Sequence, residues 1–369
     1  MKITDVKVSV STREVPPMAH RDRVGEEPWD IVLIRVVTDE GVEGNAFGWG
    51  VRSGEVTAKI VADVLKPALV GEDPFDREKI WQKIRVLDRW LAFFPIYAQG
   101  PLDVALWDIA AKHAELPLYK LLGGYRDKVR AYATAAWSIP DIDSYKRQAD
   151  EVLELGFTAY KMTAWGDPDY DIRLMRAMRE HVGDKVDLML DCVSFYDHRT
   201  ALKVGRVAEE LGFYWFEEPL WDHDIHGLAK LCDALDIPVV CTETLPGANY
   251  SIAEYIVRGA ADIVRADVCW KGGVTSVRKT MHLADCFGMN CEVHTSSHSY
   301  TDVANLHVVC AHKNVDFYEF LFPLEYYNDY GVTNPLRIDS DGTVAVPQGP
   351  GFGLEIDWEL LERTKVLEL

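Results

Sequence analysis

The sequence predicts an α/β fold, a modified (β/α) barrel with an N-terminal α+β capping domain completed by the C-terminal segment. Three observations carry the barrel. From about residue 129, apolar strand-like runs alternate with helical stretches at a period near 26 residues, giving eight strands. The first third lacks that alternation and reads as a hairpin followed by helices. The rival, an open doubly wound sheet, lacks a glycine-rich turn after its first strand.

In order along the chain, Lys2 to Val10 alternates as a strand, and Ile31–Val37 and Val42–Phe47 flank an Asp39-Glu40-Gly41 turn. Helical patterns cover 53–69, 74–91 and 96–114, the last with Leu102, Ala105, Leu106 and Ile109 on one face. Leu121-Leu122-Gly123-Gly124 then ends the helical run with glycines. Strands are expected near 129–136, 158–163, 186–191, 213–217, 238–243, 262–267, 289–294 and 315–320. Helices are expected at Asp143–Leu155, Tyr170–Val182, Arg199–Leu211, Gly227–Leu235, Ser251–Arg258 and Val274–Phe287. After about 324 the chain is turn-rich and β-like again. The expected division is a capping domain at 1–125, a barrel at 126–323 and a C-terminal segment at 324–369 that packs back on the cap.

Composition narrows the function classes. At 369 residues the chain holds one large domain and a smaller one. A net charge of −20 argues against nucleic acid or an anionic membrane as partner, because a polyanion would meet bulk repulsion. Seven cysteines with no CxxC pair read as reduced thiols, and no apolar run approaches membrane-spanning length, so a cytoplasmic location is expected. Expected partners are a small-molecule carboxylate substrate and further copies of the same chain in a homo-oligomer.

The placement of acidic residues is more informative. The third strand ends in Asp191, the fourth in Glu217-Glu218-Pro219 and the fifth in Glu243, with 26 residues between Asp191 and Glu217 and again between Glu217 and Glu243. One β/α unit separates each from the next, so all three stand side by side at the C-terminal mouth of the barrel. Any one of them alone reads as a cap for the following helix. Three at equal spacing, each after an apolar run, repel unless a positive charge sits between them, and an all-oxygen set suits Mg²⁺ before Mn²⁺. Strand six ends in Asp267 and strand seven in His294, a pairing that orients an imidazole and raises its basicity. Strand eight carries Glu319, and strand two carries Lys161 and Thr163 on a shared face.

Together with Ala105-Leu106-Trp107-Asp108, Phe216-Glu217-Glu218-Pro219, Lys271-Gly272-Gly273-Val274-Thr275 and Pro350-Gly351-Phe352-Gly353, these residues resemble the enolase superfamily and, within it, the mandelate racemase subgroup, over essentially the whole chain. The resemblance implies a cap over the barrel mouth and Mg²⁺ on Asp191, Glu217 and Glu243. It also implies an Asp267–His294 dyad as base and Glu319 as hydrogen-bond donor to an enediolate that the metal stabilises.

Departures from the subgroup's pattern bear on the reaction. Racemases of the subgroup show Lys-x-Lys on strand two, whereas here Lys161-Met162-Thr163 puts threonine in place of the second, catalytic lysine. Val193 likewise replaces a polar residue two beyond the metal aspartate. One base suits dehydration of a sugar acid, an aldonate or aldarate, to a 2-keto-3-deoxy acid, with His294 serving both proton transfers. The alternative is a racemase, epimerase or cycloisomerase that uses Lys161 and His294. A non-catalytic binding relative is a third class, disfavoured because ligands, dyad and Glu319 are all present. Substrate contacts are expected from His20, Arg23, Trp49, Tyr97, Thr163 and His298.

Overall fold

The computed structural model describes residues 1–15, 18–20, 23–25, 28–51, 53–91, 95–135, 139 and 141–369, with backbone alone at 18–20, 23–25 and 91. The cap begins with β1 (Ile3–Arg13), a short hairpin of β2 (Met18–His20) and β3 (Arg23–Gly25), and two long strands, β4 (Trp29–Thr38) and β5 (Glu43–Val51). β1 and β5 flank β4, both antiparallel. Helix α1 (Gly54–Lys59) passes through a π-helical stretch at Ile60–Leu65 into α2 (Lys66–Leu69), and α3 (Arg77–Leu91), α4 (Ile96–His113) and α5 (Leu118–Leu121) complete this part. α4 is buried on almost every face because it lies between the cap sheet and the barrel.

The barrel then runs β6 (Lys128–Ala135), α6 (Ile142–Glu154), β7 (Ala159–Thr163), α7 (Pro168–Val182), β8 (Asp187–Asp191), α8 (His198–Glu210), β9 (Trp215–Glu217), α9 (Ile225–Ala234), β10 (Val239–Cys241), α10 (Ala248–Arg258), β11 (Ile263–Ala266), α11 (Val274–Cys286), β12 (Asn290–Val293), α12 (Ser299–Ala311) and β13 (Phe317–Phe322). The eight strands pair in parallel in the order β12-β11-β10-β9-β8-β7-β6-β13. The ring closes between β12 and β13, largely through side chains. The buried Glu292 carboxylate accepts the Asp316 and Phe317 amides at 2.8 and 3.2 Å, and the Cys291 amide donates to the Asn314 carbonyl at 2.8 Å.

Four successive barrel helices start on an aspartate. Asp141, Asp167, Asp197 and Asp224 each accept a first-turn amide of α6, α7, α8 and α9, satisfying donors a helix start leaves open. α11 has no such residue of its own. Asp103, on α4, reaches across instead and accepts the Thr275 amide at 2.8 Å and its hydroxyl at 2.6 Å. Gly273 permits the approach: its φ is +92°, and a Cβ there would lie 2.3 Å from the Asp103 Cβ. Trp81 and Trp107 add indole N–H bonds to the Gly272 carbonyl and the Thr275 hydroxyl. The Lys271-Gly272-Gly273-Val274-Thr275 run is thus one place where cap and barrel are joined.

The segment after β13 divides its contacts. Following α13 (Leu324–Tyr327), β14 (Thr343–Ala345) pairs antiparallel with β6 of the barrel. Gly351 then exchanges backbone hydrogen bonds with Leu116 and Leu118, and Phe352 is buried against Tyr300. Finally α14 (Trp358–Arg363) leads to β15 (Lys365–Glu368), which pairs antiparallel with β1. Where an element was expected, its bounds fall within a few residues, but α12 and the short α5, α13 and α14 have no counterpart among the expected helices. No helix of the described residues is long and apolar enough to cross a membrane.

Candidate active site

Alternation along the barrel strands sorts side chains into those under the helices and those in the interior. Tyr132, Ala159, Met189, Trp215, Val240, Ile263 and Phe317 point inward and form a separate apolar floor. The inward residues nearer the strand ends are polar. Above them lies a cavity of about 250 Å³ lined by Thr134, Lys161, Thr163, Asp191, Glu243, His294 and Glu319 from the barrel, and by Trp29 and Trp49 from the cap.

Asp191, Glu217 and Glu243 each offer an oxygen, all within 4.8 Å of one another. Asp191 ends β8, and its Oδ1 accepts the Val193 amide at 3.0 Å. Glu217 ends β9, two residues after Trp215, whose indole N–H donates to Glu217 Oε2 at 2.9 Å. Glu243 is placed differently. Val240 faces inward, so strict alternation would turn Thr242 inward and Glu243 out. Thr242 has a left-handed backbone, φ +86°, which shifts the phase, and Glu243 lines the cavity. The Glu218 carboxylate holds the Glu243 amide at 2.8 Å.

Two buried cations lie among these acids. Lys161 Nζ is 3.0 and 3.1 Å from the two Glu217 oxygens, 2.9 Å from Glu319 Oε1 and 3.7 Å from Asp191. Arg265 Nε lies 2.9 Å from Glu217 and 3.0 Å from Glu243, and its Nη2 donates to Glu319 at 2.6 Å. Burial and then the neighbouring Glu217 push Asp191 up to about 7, and burial likewise raises Glu217. Glu243 goes the other way: His294, Arg265 and Lys161 together outweigh its burial. Burial and Arg265 pull on Lys161, but Glu217 and Glu319 overcome both, so its ammonium stays charged. Three oxygen donors converging in a crowded acidic space suit a hard divalent cation.

His294 donates from Nδ1 to Asp267 Oδ2 at 2.8 Å, which leaves Nε2 toward the cavity, 3.6 Å from Glu243. Burial lowers the imidazole's pKa, yet Glu243, Asp267 and Glu319 raise it to about 9 overall. Asn305 of α12 braces the pair: its side chain accepts the Val268 amide at 3.0 Å and donates to the His294 carbonyl at 3.0 Å and to Asp267 at 3.3 Å. Trp270 lies against the imidazole, ring centroids 4.4 Å apart, and meets Trp49 at 4.8 Å.

The structure therefore brings together Lys161, Thr163, Asp191, Glu217, Glu243, Asp267, His294 and Glu319, with Trp49 at the cavity wall. Thr163 donates its hydroxyl to the Ala135 carbonyl at 2.8 Å. Two expected substrate contacts are displaced from the cavity. His298 is buried behind Trp49, ring centroids 5.5 Å apart, where burial and Arg13 lower its pKa to about 3. Tyr97 lies in the first turn of α4, whose Ile96 and Gln99 face a separate surface cleft with Trp81 and Pro246. The side chains of His20 and Arg23 fall outside the described residues. Sequence reasoning passed over Arg265, Trp270 and Asn305. Period two back from Asp267 marks Arg265 as inward; nothing comparable marks the other two.

Comparison with known proteins agrees with this architecture. Residues 3–123 match the family described as mandelate racemase / muconate lactonizing enzyme, N-terminal domain, and residues 144–360 match the enolase C-terminal domain-like family. The chain is 31% identical to an arabinonate dehydratase of Saccharolobus solfataricus, over 93% of this chain and 92% of that one. It is also 31% identical to a D-galactarolactone cycloisomerase of Agrobacterium fabrum, over 89% and 90% of the two chains. The crystal structure of D-glucarate dehydratase from Agrobacterium tumefaciens complexed with magnesium superimposes with a TM-score of 0.89 and 35% identity, covering all of both chains.

Proposed function

Because this chain belongs to the mandelate racemase and muconate lactonizing enzyme family, we propose that it is a magnesium-dependent sugar acid dehydratase. It removes the proton next to the carboxylate of an aldonate or aldarate, expels the 3-hydroxyl and releases a 2-keto-3-deoxy acid. The observation that carries this reading is the state of strand β7. Lys161 is engaged by Glu217 and Glu319, and Thr163 is committed to a backbone carbonyl, so neither is a second base. Among the described residues, that leaves His294 as the imidazole facing the cavity.

Asp191, Glu217 and Glu243 would hold the Mg²⁺, with Mn²⁺ as a substitute. Bound there, the cation offsets negative charge that develops on the substrate carboxylate as the α-proton leaves. Asp267 fixes the His294 tautomer by accepting from Nδ1; with a cation held at Glu243, the carboxylate charge that does most to raise the imidazole's pKa would be offset, and unprotonated Nε2 takes the α-proton. The same Nε2 then protonates the 3-hydroxyl as its C–O bond breaks, on the same face of the substrate. Water leaves, and the enol product tautomerises to the keto acid. Lys161 supplies a fixed positive charge beside the substrate carboxylate. Trp29, Trp49 and Trp270 present aromatic faces suited to the C–H faces of a sugar chain.

The second reading, cycloisomerisation or epimerisation with Lys161 and His294 on opposite faces, draws on the cycloisomerase relative. It requires Lys161 to give up a proton that Glu217 and Glu319 hold in place. The two separate on a panel of aldonic and aldaric acids with Mg²⁺. Dehydration yields an α-keto acid detected with semicarbazide; α-proton exchange or a change of configuration with no keto acid would favour the second reading.

A further inference from the structure

Four carboxylates share the barrel mouth, Asp191, Glu217, Glu243 and Glu319, and crowding of this kind in a buried space is costly unless fixed cations offset it. Lys161 is one such cation. Arg265 is the other, and it too reaches three carboxylates, Glu243 among them in place of Asp191. Its side chain is fully buried and is not part of the cavity wall. Nε donates to Glu243 Oε2 at 3.0 Å and forms an ion pair with Glu217 Oε1 at 2.9 Å, while Nη2 donates to Glu319 Oε2 at 2.6 Å and to the Tyr132 hydroxyl at 3.0 Å. One planar group therefore spans the ends of β9, β10 and β13, with Tyr132 of β6 behind it.

We propose that Arg265 is a positioning residue of this site, an internal cation whose rigid fork fixes the Glu217, Glu243 and Glu319 carboxylates in one frame ready to receive a divalent ion. This deepens the reading of Asp191, Glu217 and Glu243 as ligands and rests on it. On Glu243 the guanidinium engages one oxygen and leaves the other directed toward the cavity. On Glu319 the frame is complete: Oε1 accepts from Thr134 at 2.7 Å and from Lys161 at 2.9 Å, and Oε2 from Arg265 and from the Thr295 amide at 3.0 Å. Every contact to Glu319 is a donor, so it serves as an acceptor in the frame and not as the donor implied by the family resemblance. A lysine at 265 would supply the charge but not the fork, since its one nitrogen cannot present the separate Nε and Nη2 donors that reach Glu243 and Glu319.

The test measures Mg²⁺ binding by titration calorimetry on metal-free protein without substrate, beside kcat and KM on an accepted acid. Arg265→Lys is expected to weaken Mg²⁺ binding at least tenfold and to lower kcat at least tenfold while KM moves less than threefold. Tyr132→Phe, which deletes only the hydroxyl behind the guanidinium and leaves the fold's packing in place, is expected to weaken Mg²⁺ binding three- to fivefold. Parent-like Mg²⁺ affinity in both variants, or in Tyr132→Phe if the other does not fold, overturns the proposal. So does tighter binding, which would mark Arg265 as a charge that merely competes with the ion. Absence of turnover on every acid would count against the dehydratase reading alone, because the Mg²⁺ titration does not depend on substrate.

Discussion

At the scale of single residues, the proposed chemistry rests on where one proton can go. His294→Asn is expected to cut exchange of the substrate α-proton with deuterated solvent by about 10³-fold, read by NMR at C2. Asp267→Asn slows the same exchange by a smaller factor, since the imidazole remains but loses the anion that fixes its tautomer. Lys161→Ala should lower turnover without changing which proton is exchanged; exchange that survives loss of His294 but not of Lys161 would reverse the assignment. Much of this set could be read from the sequence because barrel units repeat, and the spacing of Asp191, Glu217 and Glu243 reports the repeat directly. What spacing does not carry is the local backbone. Glu243 reaches the cavity only because Thr242 takes a left-handed conformation, and a β-branched residue gives no warning of that. Arg265 was hidden for a different reason: a lone arginine in an apolar strand has no partner in sequence, and its three carboxylates lie on other strands.

At the scale of elements, most helices that the sequence revealed have one wet face; α4, buried on almost every face, was legible instead through its length and its apolar residues. α6, α7 and α8 show the wet face clearly, each opened by an aspartate. α12 is buried along nearly its whole length, so its polar and apolar residues follow no single stripe, and the pattern that marks a surface helix is missing. That helix nevertheless carries Asn305, the brace of the Asp267–His294 pair. α11 illustrates the opposite dependence, a helix whose first turn is satisfied by a side chain from another part of the chain. Asp103→Ala would leave the Thr275 amide and hydroxyl without their acceptor in a buried place, at about 2 kcal/mol. Gly273→Ala should cost more, about 3 kcal/mol, because it adds a left-handed alanine and a clash with Asp103 together. Urea unfolding of both variants measures the order; equal or negligible losses would show that cap and barrel are held elsewhere.

At the scale of the whole molecule, three distant stretches meet at one buried imidazole. His307 of α12 accepts the Tyr119 amide on Nδ1 at 3.1 Å, and its Nε2 lies 3.1 Å from the Phe352 carbonyl, so the neutral tautomer with Nε2–H satisfies both. Burial lowers its pKa to about 4 from an ordinary 6.5. The unfolded chain therefore binds this proton more readily than the folded one between those values, and stability present above pH 6.5 is lost as pH falls toward 4, by up to about 3 kcal/mol. A His307→Gln variant is expected to lose less of its urea midpoint between pH 7.5 and pH 5 than the parent; parallel losses would place the acid sensitivity in other groups. The general architecture was legible because alternation and repeat length are long-range signals. The return of the C-terminal stretch was legible only as a surplus of β-like sequence, since pairing partners are not written in local pattern. That return has a consequence for how the chain is made. β1 lies inside the cap sheet, between β4 and β15, yet it leaves the ribosome before every barrel strand and its second neighbour follows only after all of them. Throughout translation of the barrel, β1 presents an open edge. A chain cut short just before β15 would keep every residue of the proposed site and still offer that edge to a strand from another molecule.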